Sequence, residues 1–178
     1  MNTAELLKGR RSIRKYQEKL VEHDVLREVV ELASYAPSWK NTQITRYIAI
    51  ENQDIKNYIV NECVGEHNAE IITSAPVLVV VTAIKNRCGF ERDGSYTTKK
   101  EDRWQNFDCG IASYAFSLAA HEKGLGTVIM GIFDEDKIRE KLDIPEEREV
   151  MALIAVGYAA EEPTAPKRKT VDDLLEIR

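Results

Sequence analysis

Residues 106–124 read NFDCGIASYAFSLAAHEKG, and this segment sets the fold class. Ile111, Tyr114, Ala115, Leu118 and Ala119 recur at three- and four-residue spacing, the period of one helix face, and Gly124 follows as a terminator. Its small residues permit close contact with another helix. Extended chain stands on either side. Upstream, APVLVVVTAI (75–84) is continuously apolar and bounded by Pro76, as expected for a strand covered on both faces. Downstream, LGTVIMG (125–131) reads as a short strand or extended loop, and EVMALIAVGYA (149–159) as a final core strand.

Further out, RYIAIEN (46–52) is rich in β-branched and aromatic residues and reads as the first core strand. QDIKNYIVNECV (53–64) has helical periodicity, and DEDKIREKLD (134–143) reads as a helix with Asp134 at its N-cap. Over EHDVLREVVELASYA (22–36) the spacing of Val25, Val29, Leu32 and Ala36 predicts a longer helix, which Pro37 stops, leaving SWKNTQ (38–43) as loop. TAELLKG (3–9) reads as a short helix capped by Thr3 and ended by Gly9, whose missing Cβ tolerates a left-handed backbone. The polar stretch 85–101 has no period and reads as a long irregular excursion, a lid or an interface arm. Strands separated by helices predict an α+β or three-layer α/β arrangement around one central sheet, in a single domain spanning 1–178.

The chain has 178 residues and a mass of 20.2 kDa, enough to bury roughly 70% of its unfolded surface. A pI near 5.4 argues against a surface spread for nucleic acid but leaves room for a local basic pocket. With no basic, apolar and cleavable leader, and no apolar run long enough to span a bilayer, the expectation is a cytoplasmic protein without membrane partners. Cys63, Cys88 and Cys109 are odd in number and form no C-x-x-C pair, and His23, His67 and His121 fall in no ligand pattern. No disulfide framework and no metal site are expected.

Against this acidic background, GRRSIRKY (9–16) packs three arginines and one lysine into eight residues of a chain whose net charge is −5. Lys167, Arg168 and Lys169 form a second cluster near the other end, and chain termini often lie close together. Arginine suits phosphate because its planar fork offers two parallel donors, and Ser12 adds a neutral one. Solvated surface charge remains the alternative for a generic basic run. Neither G-x-G-x-x-G nor the P-loop pattern is present, and no G-x-S-x-G or other activated nucleophile stands out. Loops that donate hydrogen bonds, without an acid, base, nucleophile or metal of their own, suit a cofactor that carries the reactive atoms.

RRSIRKY, APSWKNTQ after the second helix, FDCGIASYAFSLAAHEKGLGT in the middle, MG just beyond it and PKRK near the end together resemble the small, single-domain form of the nitroreductase-like family of FMN-dependent oxidoreductases. The resemblance covers nearly the whole chain. It implies a three-layer α/β/α sandwich with a central mixed sheet, in an intertwined or domain-swapped homodimer with two FMN sites at the subunit boundary. Arg10, Ser12 and Arg14 would face the FMN phosphate, with Arg11 nearby and Arg168 approaching from the tail. Pro37, Ser38 and Asn41 would reach the flavin from the opposite subunit. Here Gln43 precedes Ile44 and Thr45 rather than the proline and aromatic frequent in relatives. Met130 and Gly131 would offer main-chain N–H groups to the flavin edge; as ordinary residues they would be a core filler and a turn.

Trp39, Trp104 and Phe107 are the candidate substrate-side residues, each with an alternative in packing or at the dimer interface. Asp108 caps or braces the helix, and Cys88 and Cys109 are read as packing or surface residues. The activity the resemblance implies passes electrons from NADH or NADPH through flavin N5 to a planar acceptor such as a nitroaromatic, a quinone or a flavin. A noncatalytic flavin-binding or flavin-sequestering protein is the alternative.

Overall fold

A computed structural model describes residues 2–178. Four strands form its sheet: β1 (Thr45–Ile50), β2 (Val77–Ile84), β3 (Gly126–Met130) and β4 (Arg148–Gly157). Six helices surround them: α1 (Thr3–Gly9), α2 (His23–Ala33), α3 (Gln53–Glu62), α4 (Glu66–Ser74), α5 (Arg103–Glu122) and α6 (Glu135–Lys141). The elements expected from sequence are all present, and α4 is an addition that no periodicity announced.

The sheet order is β1-β2-β4-β3, and every neighbouring pair of these strands is antiparallel. The expected mixed sheet is therefore corrected to an antiparallel one. α5 carries the chain from β2 to β3 so that these two run parallel, but β4 inserts between them, antiparallel to both. The one parallel pairing among the described residues outside these strands is an isolated bridge between Ser12 and Thr127.

Alternation along β2 divides the core. Leu78 and Val80 join Ile59, Ile71, Ile72 and Ile138 of α3, α4 and α6, whereas Val77, Val79 and Val81 join Leu26, Val29, Phe116 and Ala120 of α2 and α5. Covering both faces explains the unbroken apolar run of β2. Phe116 is almost wholly enclosed, worth about 2–3 kcal/mol of hydrophobic stabilisation.

Helix faces were legible only in part. α5 buries Cys109, Ala112, Phe116 and Ala120, while Tyr114 of the expected face is exposed and Ile111, Ala115 and Leu118 are half-buried. Apolar residues surround most of this helix, so the packing partner, not the pattern, selects its core side. α2 likewise turns Leu26, Val29 and Ala33 inward and leaves Leu32 exposed.

Three caps are now defined. Asn2, rather than Thr3, caps α1 in a reciprocal box with Glu5. Asp134 caps α6 through the Lys137 N–H, as expected, and Gly124 leaves α5 in the left-handed region at φ 79°.

Candidate functional site

The chain between α1 and α2 is fastened to the start of β3. The Ile13 N–H donates to Thr127 O at 3.0 Å, and the Tyr16 hydroxyl donates to Ile13 O at 2.6 Å and Ala155 O at 3.1 Å. Gly126 makes the approach possible, because a Cβ there would lie 2.6 Å from Ile13 Cγ1. Gly9 is not the left-handed residue expected; its would-be Cβ falls 2.8 Å from His121 Nε2, the tip of a side chain facing it. The result is a cleft of about 510 Å³ whose lining includes Arg10, Arg11, His121, Thr127 and Glu161.

Arg10 and Arg11 share the lining of this cleft with Glu161 and Glu162, yet pair with neither carboxylate. Among the described residues, Arg10, Arg11, Arg14 and Arg168 form no ion pair, although the chain has 30 acidic side chains. Burial, and then the charges of Arg10 and Arg11, hold the His121 imidazole below its usual range. Its Nε2 is buried without a hydrogen-bond partner. Arg11 Nη1 is braced by Lys8 O at 2.6 Å and Arg10 O at 2.9 Å. The Arg14 N–H donates to Glu161 Oε1 at 2.7 Å, so this peptide already accommodates an oxygen anion.

Ser12, half-buried, and Arg14, exposed, belong to the same segment without lining the cleft. Ala159, Glu161, Glu162 and Pro163 bring the start of the tail to it, while Arg168 lies farther along the exposed tail and outside the lining.

A second group of predicted residues also converges. Trp39 meets Trp104 with ring centroids 4.9 Å apart, and Trp104 meets Phe107 edge-on at 5.6 Å. Phe107 is 59% exposed, so this ladder ends in an open aromatic surface. Lys100 Nζ lies over the Trp104 ring at 4.9 Å. Trp39 begins a short turn, Trp39–Asn41, in which Lys40 and Asn41 have φ of 45° and 55°, and Gln43 just beyond has 47°. The Gln43 N–H donates to Ser38 Oγ at 3.1 Å. Pro37 and Ser38 line a separate, mostly apolar cavity of about 360 Å³ with Tyr47, Asp108 and Ala112; Asn41 is exposed.

At the far end of β3, the Met130 side chain is in the core, which leaves its main chain as the part able to serve a ligand. Gly131 is exposed, and nothing lies within 4 Å of its would-be Cβ. The cysteines are packing residues. Burial, and then Asp108, raises the Cys88 thiol, and burial pushes Cys109 up to about 11. Among the described residues no cluster of three His, Cys, Asp or Glu side chains is placed to hold a metal. No described helix is long and apolar enough to cross a membrane.

The description of the Nitroreductase family matches residues 7–74 and 62–158, which takes in the basic segment, the turn, α5 and the sheet. The chain belongs to the nitroreductase family. A Methanothermobacter thermautotrophicus protein with the provisional name NADH dehydrogenase/NAD(P)H nitroreductase is 32% identical over 167 residues, covering 92% of this chain and 80% of its own. Among solved structures, a nitroreductase family protein of Clostridium novyi NT superposes with a TM-score of 0.78 at 29% identity, over 90% of this chain and 87% of its own. An FMN-dependent nitroreductase of Clostridium difficile R20291 gives 0.74 at 29% identity, over 97% and 94%.

Within this nitroreductase-family chain, His121, Thr127 and Glu161 line the cleft without having been singled out from sequence. His121 stands three residues before the α5 terminator, a position that carried a signal once Gly9 is known to face it. Glu161 carries none, being one acid among many.

Proposed function

We propose that the protein is an FMN-dependent oxidoreductase that takes reducing equivalents from NADH or NADPH and delivers them to a planar acceptor such as a nitroaromatic, a quinone or a flavin. The observation that carries this reading is the cleft holding Arg10 and Arg11, whose guanidinium groups, like that of Arg14, form no ion pair among the described residues. Guanidinium groups without an ion pair fit the phosphate of FMN, which would take the place of the Glu161 carboxylate at the Arg14 N–H.

Arg10, Arg11, Ser12 and Arg14 hold that phosphate, and Arg168 joins them from the tail. β3 then spans roughly 13 Å from the cleft to Met130 and Gly131, the reach from a phosphate to a ring edge. The main-chain N–H groups of these two residues donate to the ring and favour its electron-rich state without titrating. FMN, when bound, supplies the redox chemistry at N5. Trp39, Trp104 and Phe107 offer aromatic surface on which a planar acceptor stacks and from which water is excluded.

The working unit is a homodimer, in which Pro37, Ser38 and Asn41 of one subunit approach the flavin of the other. Three exposed features support it: the tail residues Val171, Leu174, Leu175 and Ile177, the unpaired edge of β1, and Phe107 and Tyr114 on α5. An intertwined dimer in which the tail covers such surfaces gives each a partner. The three-layer α/β/α reading of the whole chain as one domain fits the division of the helices between the two core clusters.

The test is visible absorption of the purified protein with FMN, followed by anaerobic addition of NADH or NADPH. A yellow protein that bleaches and recovers its colour with a quinone is expected. Yellow protein inert to both donors would instead identify a flavin-sequestering protein, and failure to retain FMN would refute both.

A further inference from the structure

Asp108 is a buried carboxylate without a cation. It is 4% exposed and, among the described residues, forms no ion pair. A charge withdrawn from water in this way is costly unless donors surround it. Its donors come from two segments distant in sequence: Oδ2 accepts the Trp39 N–H at 2.8 Å and the Cys88 thiol at 3.0 Å. A single oxygen thus joins the turn after α2 to the irregular excursion before α5.

The turn requires such a tie. Lys40, Asn41 and Gln43 all occupy the left-handed region, where a Cβ is disfavoured, and three such residues in four positions persist only when their surroundings over-determine them. The Trp39 N–H stands at the entrance to this strained run, and the ring of the same residue stacks on Trp104. Asp108 also adjoins Phe107, the outer ring of the ladder, so one helical turn supplies both the anchor and the last ring.

We propose that Asp108 is the positioning residue of the aromatic platform: it fixes Trp39 against Trp104 and thereby sets the loop that bears Pro37, Ser38 and Asn41. The inference rests on the reading, given above, that the platform serves the acceptor. Asp108 itself moves no proton and touches no substrate. Its function is to hold a high-energy loop in one conformation, so that the stacking surface exists before an acceptor arrives.

The chain has two tryptophans, and both are in the ladder, so the circular-dichroism exciton couplet of paired indoles reports on this arrangement. Asp108→Ala should abolish the couplet and raise the acceptor KM about tenfold, the size of a lost charge-assisted hydrogen bond. Asp108→Asn keeps an oxygen acceptor in place and should retain the couplet, with the KM within about threefold of the parent.

A couplet unchanged in Asp108→Ala, or a couplet lost with the KM unmoved, overturns the proposal. Should that variant fail to fold, hydrogen exchange of the Trp39 amide in the unmodified protein decides: protection supports the tie, and exchange at the pace of an exposed loop refutes it. Absence of FMN binding in the parent would defeat the functional reading while leaving the couplet and the amide to judge Asp108.

Discussion

The basic cleft and the aromatic ladder are built in opposite ways. Arg10, Arg11 and Arg14 lie within five consecutive positions of one segment, and attachment of that segment to β3 is enough to place Arg10 and Arg11 in the cleft. Trp39, Trp104 and Phe107 come from two regions more than sixty residues apart and meet through Asp108. The difference follows from the forces involved. Coulomb attraction falls off slowly and tolerates loose geometry, so local clustering of charge suffices. Aromatic stacking requires ring centroids within about 4.5–7 Å in suitable orientations, so a scaffold must supply the precision.

The comparison is broken most directly at the charged end. Replacing Arg10 and Arg14 together by alanine should weaken FMN affinity by about two orders of magnitude or more, the cost of two charge-assisted contacts to one phosphate. Isothermal titration of the apoprotein would measure it. The parent's affinity should also fall as ionic strength rises, and the variant's should do so less. A loss under about threefold would mean that the arginines are solvated surface charge and that the two regions do not divide the work.

The same contrast explains what the sequence disclosed. The contiguous GRRSIRKY segment was legible, as were strands whose unbroken apolar runs, like Val77–Val81, have one physical explanation. Faces of α2 and α5 were not, because each helix carries more apolar residues than one partner can cover; Val29 belongs to either reading of α2, and Leu32 to the wrong one. Sheet polarity was also hidden. Whether β4 lies beside β2 and β3 or between them depends on contacts far apart in the chain, and its insertion turns an expected mixed sheet into an antiparallel one. The candidate rings can be named individually, but at its position near the start of α5 the carboxylate joining them has the look of a helix brace. Its two partners, a peptide N–H at Trp39 and a thiol at Cys88, follow no sequence spacing.

An intermediate effect is expected at the ladder. Trp104→Ala removes the central ring, together with its contacts to Trp39 and Phe107 and the hydrogen bond from its indole N–H to Thr98 Oγ1 at 2.8 Å. The acceptor KM should rise about tenfold and unfolding free energy should fall by about 2 kcal/mol. FMN affinity should fall less than in the double arginine variant, since no atom of the cleft is touched. Steady-state kinetics with a quinone and a denaturant titration read the two changes. Loss of FMN comparable to that in the double arginine variant would show the two ends to be one cooperative unit.

The smallest effect joins charge to packing at His121. Burial, reinforced by Arg10 and Arg11, holds its imidazole below the ordinary histidine value, so on acidification the unfolded chain takes up this proton before the folded one does. Stability attributable to His121 is therefore full above the ordinary value and declines as pH falls from about 7 to 5. His23 has the opposite sign, because its hydrogen bond to the Glu51 carboxylate raises it, and it contributes most at low pH. Comparing the parent with His121→Gln cancels His23, which both proteins retain. The parent should lose more thermal stability across that interval, by about 2 °C or less. A phosphate in the cleft offsets the two guanidinium charges and raises the imidazole's proton affinity, so added FMN should narrow the difference between the two proteins. If FMN leaves it unchanged, the phosphate does not lie near His121, and the charged end of the site must be sought elsewhere than between α1 and β3.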